Sequence, residues 1–178
     1  NVPLLVAAFA ALVHRVNDPA LKLLISGDTS VLGTSPLFPD WRPLAQRFGL
    51  ENRIVSAFVS DIDLPAIYSG ALAFVYPSQY EGFGLPPLEA MACGAPVVIS
   101  DHPALQEVAG DAALEFSLAQ GAVAATRSLA NHLTQIVTNP VLREDLRLRS
   151  LARVRQFNWA QVAAETSGIF SEIIGTRN

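Results

Sequence analysis

Tyr76-Pro77-Ser78-Gln79-Tyr80-Glu81-Gly82-Phe83-Gly84-Leu85-Pro86-Pro87-Leu88-Glu89 is a stretch in which a short apolar strand gives way to a helix. Gly82 and Gly84 carry no Cβ, so a ligand can approach the backbone closely there. A helix opening after them leaves amide groups unpaired and carries partial positive charge, which suits a phosphate or diphosphate. Pro86 and Pro87 lack amide hydrogens and thin that donor supply, although proline is tolerated in a first helical turn and stiffens it. Two carboxylates flank the turn with the spacing E-x7-E, Glu81 in the loop and Glu89 inside the helix. Beside an anion site they are electrostatically odd. They make sense as acceptors for the hydroxyls of a ribose or a hexose, which are neutral and rich in donors. Taken singly, Glu81 reads as a solvated loop residue and Glu89 as a helix-surface residue favoured by the dipole. As a pair around Gly82-Phe83-Gly84 they read as a binding site.

Outward from this turn, strands and helices alternate. Upstream, helices are expected at Pro3–Val16, Trp41–Phe48 and Asp61–Ser69, the last with Asp61 as its cap. Strands are expected at Leu21–Ser26, Arg53–Ala57 and Ala71–Tyr76. Downstream follow a helix at Leu85–Cys93, a strand at Pro96–Ser100, a helix at Pro103–Ala109 and a strand at Ala112–Phe116. Three helices close the chain, at Leu118–Thr138, Pro140–Gln156 and Trp159–Ile174. The pattern implies an α/β fold, a Rossmann-like parallel sheet with helices on both faces, whose ligand lies beyond the carboxyl ends of the strands. The loops at that end are Gly27 to Asp40, Phe58 to Ser60, Pro77 to Gly84 and Ser100 to His102. The first is rich in Gly, Pro, Ser and Thr and long for a compact domain, a mark of function or mobility.

Composition removes several function classes. With 178 residues, 51% of them hydrophobic and 16% charged, the chain has the material for one folded domain and is no disordered tail. Its longest apolar run, Leu4 to Val13, is too short to span a bilayer and has no signal-peptide flanks. A net charge of −4 and a single lysine, Lys22, give no basic stripe for nucleic acid. Cys93 is the only cysteine, which excludes an internal disulfide and fits a reducing cytoplasm. His14, His102 and His132 are scattered without metal-ligand spacing, so no metal site is expected. Gly82-Phe83-Gly84 with Asp101 after the next strand also resembles part of a dinucleotide fingerprint. However, Pro87 stands at the third glycine position, and Asp101 reads better as a cap for the helix after it.

From Val75 to Val98 the chain resembles the family 4 retaining glycosyltransferases of the GT-B fold, and the flanking segments agree. Leu24-Ile25-Ser26-Gly27-Asp28 resembles the family's strand ending in a Gly-Asp turn, and Phe58-Val59-Ser60-Asp61 resembles the loop before its next helix. Gln106-Glu107-Val108-Ala109-Gly110-Asp111-Ala112-Ala113 resembles its "PEVVGDAA" stretch, and Phe157-Asn158-Trp159 the "F-S-W" before its final helix. The resemblance covers essentially the whole chain. It implies the C-terminal, donor-binding domain of such an enzyme, residues 1–156, with 157–178 as a helix that packs on an N-terminal acceptor domain. It implies that Glu89 holds the ribose hydroxyls and that Glu81 contacts the donor sugar near the reacting centre. Phe83, Gly84 and Leu85, beside Gly82, then offer backbone donors to sugar and diphosphate, and the loop around Val59 walls the base. It implies no cofactor and usually no essential metal, since the nucleotide sugar is itself a substrate. The acceptor, a saccharide or lipid-linked saccharide, is unspecified, and the intact enzyme can sit peripherally on a membrane.

One departure stands out. The family steadies the leaving phosphate with an arginine and a lysine just after the domain's first strand, upstream of the helix that begins here at Pro3. Arg15 and Lys22 sit on later elements and do not fit. The first strand and the basic pair are therefore expected either upstream, in a longer chain of which this is a piece, or on a partner chain that completes the domain, and transfer by this chain alone is not expected. Exposed faces left by the missing parts, among them Val162, Ile169, Phe170 and Ile173 on the last helix, would favour self-association. The rivals are a non-catalytic nucleotide-sugar-binding module, a nucleotide-sugar epimerase of similar fold, and a dehydrogenase. Lesser candidates are Tyr80 as a donor-site aromatic, His102 as a sugar or diphosphate contact, Glu107 in the family block and Trp159 as a packing anchor.

Overall fold

The computed structural model describes residues 1–27, 30–36 and 38–175. In chain order the elements are α1 (Val2–Val16), β1 (Leu23–Ser26), α2 (Arg42–Arg47), β2 (Ile54–Ala57), α3 (Leu64–Gly70), β3 (Phe74–Tyr76) and α4 (Leu85–Ala92). After them come β4 (Val97–Ser100), α5 (Pro103–Ala109), β5 (Ala113–Phe116), α6 (Ala122–Thr138), α7 (Pro140–Val154) and α8 (Trp159–Gly175). All strand pairings are parallel, as strands joined through helices must be. The Rossmann-like α/β architecture read from the sequence is the one observed.

The sheet falls into two parts among the described residues. β1 pairs with β2, and β3, β4 and β5 form a second sheet in that order. In a doubly wound sheet of order 3-2-1-4-5-6, strand 1 lies between the two halves, at this split. Among the described residues no strand pairing joins the two parts.

The apolar faces explain the layers. On α1, Leu5, Val6, Phe9 and Leu12 recur at helical spacing and are buried. They meet Ala125, Leu129, Leu133 and Ile136 of α6 over one face of both half-sheets, with Leu23 and Ile25 of β1 and Val75 of β3 packed against the same core. Asn17 ends α1 in the left-handed conformation, φ 52°, and its amide bonds the carbonyl of Val13. The opposite face of the three-stranded sheet carries α3, α4 and α5 through Tyr68, Ala90, Met91, Ile99, Leu105 and Ala109. β4, Val97-Val98-Ile99-Ser100, is buried on both sides, which is why it reads as an unbroken apolar run. Each large side chain buried this way contributes about 1.5–3 kcal/mol.

Several boundaries differ from the sequence reading for local reasons. Residues 61–63 form a turn, and α3 begins at Leu64. Asp61 therefore does not cap it, and Ser60 Oγ instead donates to Asp63 Oδ2 at 2.7 Å. Gly121, at φ 84°, delays α6 to Ala122. Asp28 of the expected Gly-Asp turn lies outside the described residues. α8 has no buried residue, and Trp159, read as a packing anchor, is 77% exposed.

Candidate functional site

The turn after β3 is tied down from several directions. Asn1 Nδ2 donates to the carbonyl of Pro77 at 2.8 Å, bringing the start of α1 to the carboxyl end of β3. Ser100, fully buried at the end of β4, donates from Oγ to the carbonyl of Ser78. Ser78 Oγ donates to the carbonyl of Tyr80 at 3.1 Å. Tyr76, the last residue of β3, donates from its phenol to Glu81 Oε1 at 2.7 Å. The Phe83 ring meets Phe157 edge-on, with centroids 6.2 Å apart, and Arg153 lies over the Phe157 ring at 5.2 Å. Burial, most of all, and then the hydrogen bond and charge of Glu81 push the Tyr76 phenol well above its ordinary pKa.

The helix start has the form read from the sequence. Gly84 is the N-cap of α4 in the left-handed region, φ 102° and ψ 51°, with no side-chain cap bond. Gly82 needs no such conformation and has open space where a Cβ would stand. Glu81 is half-buried, while Gly82, Phe83, Leu85 and Glu89 are exposed. Glu89 reaches the neighbourhood of Tyr68: the Tyr68 phenol is pushed up by burial, then by the charge of Glu89 and Cys93 and a hydrogen bond with Glu89. The ion pairs among the described residues are Arg42–Asp40, Arg147–Glu144 and Arg149–Asp145, none of which includes Glu81 or Glu89.

A cavity of about 500 Å³ opens beside α4, lined by Phe83, Leu85, Glu89, Phe157, Trp159 and Val162 among others. Glu81 and Val59 are not part of its lining. Val59 is half-buried in the loop after β2, next to Phe58, which is 82% exposed. Arg15 donates to Asn131 Oδ1 and Lys22 to the carbonyl of Asn52, so both are engaged in other parts of the fold.

Two of the lesser candidates have structural roles. His102, not Asp101, caps α5, with Nδ1 accepting from the amide of Ala104 at 3.3 Å. Asp101 Oδ1 accepts instead from the amide of Leu118 at 2.9 Å. That bond, and after it one from the Ser117 hydroxyl, hold the carboxyl below its usual pKa. A carboxylate with a depressed folded pKa adds stability that is present above its unfolded value, about 4, and is lost as pH falls through the folded value. Asp101→Asn is therefore expected to reduce the loss of urea resistance between pH 5 and pH 3, read as the unfolding midpoint across that range. Tyr80 is 88% exposed, with its ring edge-on to His102 at 6.3 Å. The Glu107 side chain is exposed, and its carbonyl accepts from Arg153.

Sequence reading gave no role to Tyr76, Tyr68, Ser100 or Phe157. The available signal was the alternation Phe74, Tyr76 on one strand face, which brings Tyr76 to the strand end beside the loop.

Known proteins share this sequence pattern and fold. Residues 1–152 match the family described as glycosyl transferases group 1. O-antigen chain mannosyltransferase B of Escherichia coli is 44% identical over 109 residues, 61% of this chain and 27% of that protein. The solved sucrose-phosphate synthase from Thermosynechococcus elongatus is 27% identical with a TM-score of 0.74, over 96% of this chain and 42% of that one. The C-terminal domain of a glycosyl transferase group 1 family protein, LpcC, from Francisella tularensis shares the fold at 20% identity and a TM-score of 0.71, covering 87% of this chain and 77% of that one. This chain thus spans 27% of the mannosyltransferase and 42% of the solved synthase chain, less than half of either. A family match over 152 of 178 residues, centred on a strand-to-helix turn bracketed by two glutamates, makes this chain a member of the group 1 glycosyl transferases.

Proposed function

We propose that this chain binds the nucleoside diphosphate–hexose donor of a retaining hexosyltransferase, and that the hexose is mannose. The observation that carries the reading is the placement of Glu81 and Glu89 around the Gly82-Phe83-Gly84 turn that opens α4, in a chain of this family. Mannose is favoured by the relatives whose names are mannosyltransferases, among them O-antigen chain mannosyltransferase B. In this reading Glu89 accepts the ribose hydroxyls and Glu81 a hydroxyl of the hexose. The amides of Phe83, Gly84 and Leu85 lie against sugar and diphosphate at the positive end of α4. The loop at Val59 lies against the base. A polar turn of this kind works by orienting the donor and by placing dipoles where charge develops on the leaving diphosphate.

Residues 1–156 would form the donor domain, and 157–178 would cross to an N-terminal domain that holds the acceptor saccharide. Val162, Ile169 and Phe170 on α8 are at least half exposed. Together with the open sheet edges they are the surfaces on which the separated chain would self-associate.

The test is a titration of the chain with GDP, UDP, ADP and NAD followed by NMR, with sedimentation velocity on the same samples to read self-association. One nucleoside diphosphate is expected to bind selectively, with Glu89→Ala weakening it about 10- to 100-fold through loss of charge-assisted hydrogen bonds. Binding of NAD instead, or binding unaffected by Glu89→Ala, would defeat the reading.

A further inference from the structure

Glu81 stands in a loop between a tyrosine and a glycine, where a glutamate side chain has several rotamers to choose from. One contact narrows the choice, the 2.7 Å hydrogen bond from the Tyr76 phenol to Oε1. A carboxylate oxygen engaged in this way leaves Oε2 as the oxygen with both lone pairs available to a hydroxyl donor.

The phenol is itself held. Tyr76 and Phe74 share one face of β3, and their rings stack with centroids 6.0 Å apart and planes 19° from parallel. Tyr68 of α3 closes the row edge-on against Phe74, at 5.3 Å and 85°. Tyr68, only 8% exposed, belongs to the buried cluster beneath α4, and the half-buried Phe74 and Tyr76 pack against it. Because burial and Glu81 raise its pKa, the Tyr76 phenol keeps its proton and remains a donor at every ordinary pH. The row of rings transfers the rigidity of the core to a carboxylate in a glycine-containing loop, where backbone packing alone supplies little.

We propose that Tyr76 is the positioning residue of the donor site, fixing the Glu81 carboxylate by its phenol so that Oε2 is presented to the donor sugar. This rests on the role proposed for Glu81 above. Tyr76 touches no substrate in this scheme and acts only through Glu81.

Tyr76→Phe keeps the ring and its stacking and deletes the hydroxyl alone. The full chain, unaltered and as Tyr76→Phe, Glu81→Ala and the double variant, is titrated by calorimetry with GDP and GDP-mannose, and with UDP and UDP-glucose. Tyr76→Phe is expected to bind the nucleoside diphosphate as the unaltered chain does and the sugar nucleotide about ten-fold more weakly. Glu81→Ala is expected to lose at least as much, and the double variant no more than Glu81→Ala, because both changes remove the same contact. Equal sugar-nucleotide affinity in Tyr76→Phe and the unaltered chain, equal weakening toward nucleotide and sugar nucleotide, or losses that add in the double variant would overturn the assignment while leaving the function standing. An unaltered chain that binds none of the four ligands, or gains nothing from the hexose, would overturn the function proposed for Glu81 and this assignment with it.

Discussion

Gly84→Ala is expected to destabilise the chain by roughly 2–5 kcal/mol and to remove nucleoside-diphosphate binding. Two costs meet at this position. The residue holds φ 102° at the cap of α4, and an alanine forced into the left-handed region pays about 1–2 kcal/mol. Its Cβ would stand 2.7 Å from Leu105 Cδ2, closer than carbon atoms pack. Leu105 is fully buried among Met91, Ile99 and Ala109, so relief means repacking that cluster, about 1–3 kcal/mol more. If the backbone yields instead, the first turn of α4 shifts and its amides no longer converge where the diphosphate is proposed to sit. Gly82→Ala is the control. A Cβ there meets nothing within 4 Å and the backbone needs no positive φ, so the change should stay within about 0.5 kcal/mol. Urea unfolding of the two variants side by side decides the matter, and equal midpoints would refute this account of the turn.

Phe116→Ala should cost about 3–5 kcal/mol, the range for deleting a fully buried aromatic ring. Phe116 ends β5 at 1% exposure and belongs to the core shared by α1 and α6. Its register partner is Ser100, and its carbonyl accepts the amide of Asp101 at 3.0 Å. Ser100 in turn holds the carbonyl of Ser78 in the loop that carries Glu81. The ring therefore supports the strand end that anchors the site as well as the core. A loss of stability near 1 kcal/mol, measured by denaturant titration, would mean that α6 collapses into the space and that the packing is less specific than it looks.

The alternation of elements was legible because each carries its own period. α1 and α6 show apolar residues at helical spacing, β4 is an unbroken apolar run, and glycine stands after α2 and α4. The turn was legible for the same reason, since Gly84 is the residue that its backbone demands. Less legible were the caps. Asp101 was the cap read from the sequence, yet His102 caps α5, and only tertiary structure brings the amide of Leu118, 17 residues away, to Asp101. Asp61 failed as a cap because residues 61–63 turn before α3 starts at Leu64. The tether from Tyr76 to Glu81 went unread because a tyrosine in a strand ordinarily signals packing, and its hydroxyl carries no sequence pattern. Trp159, read as a packing anchor, stands on a helix that buries no residue within this chain, so any packing it makes lies beyond these elements.

The two loops proposed for the donor belong to different parts of the sheet. The Val59 loop, proposed for the base, follows β2, while the turn holding Glu81 and Gly84 follows β3. Those strands belong to different half-sheets, with no backbone ladder between them. What joins the halves is the side-chain layer of α1 and α6, with Leu23 and Ile25 on one half and Val75 on the other. Were base and diphosphate to bind where proposed, the span between them would rest on interdigitated apolar side chains of α1 and α6.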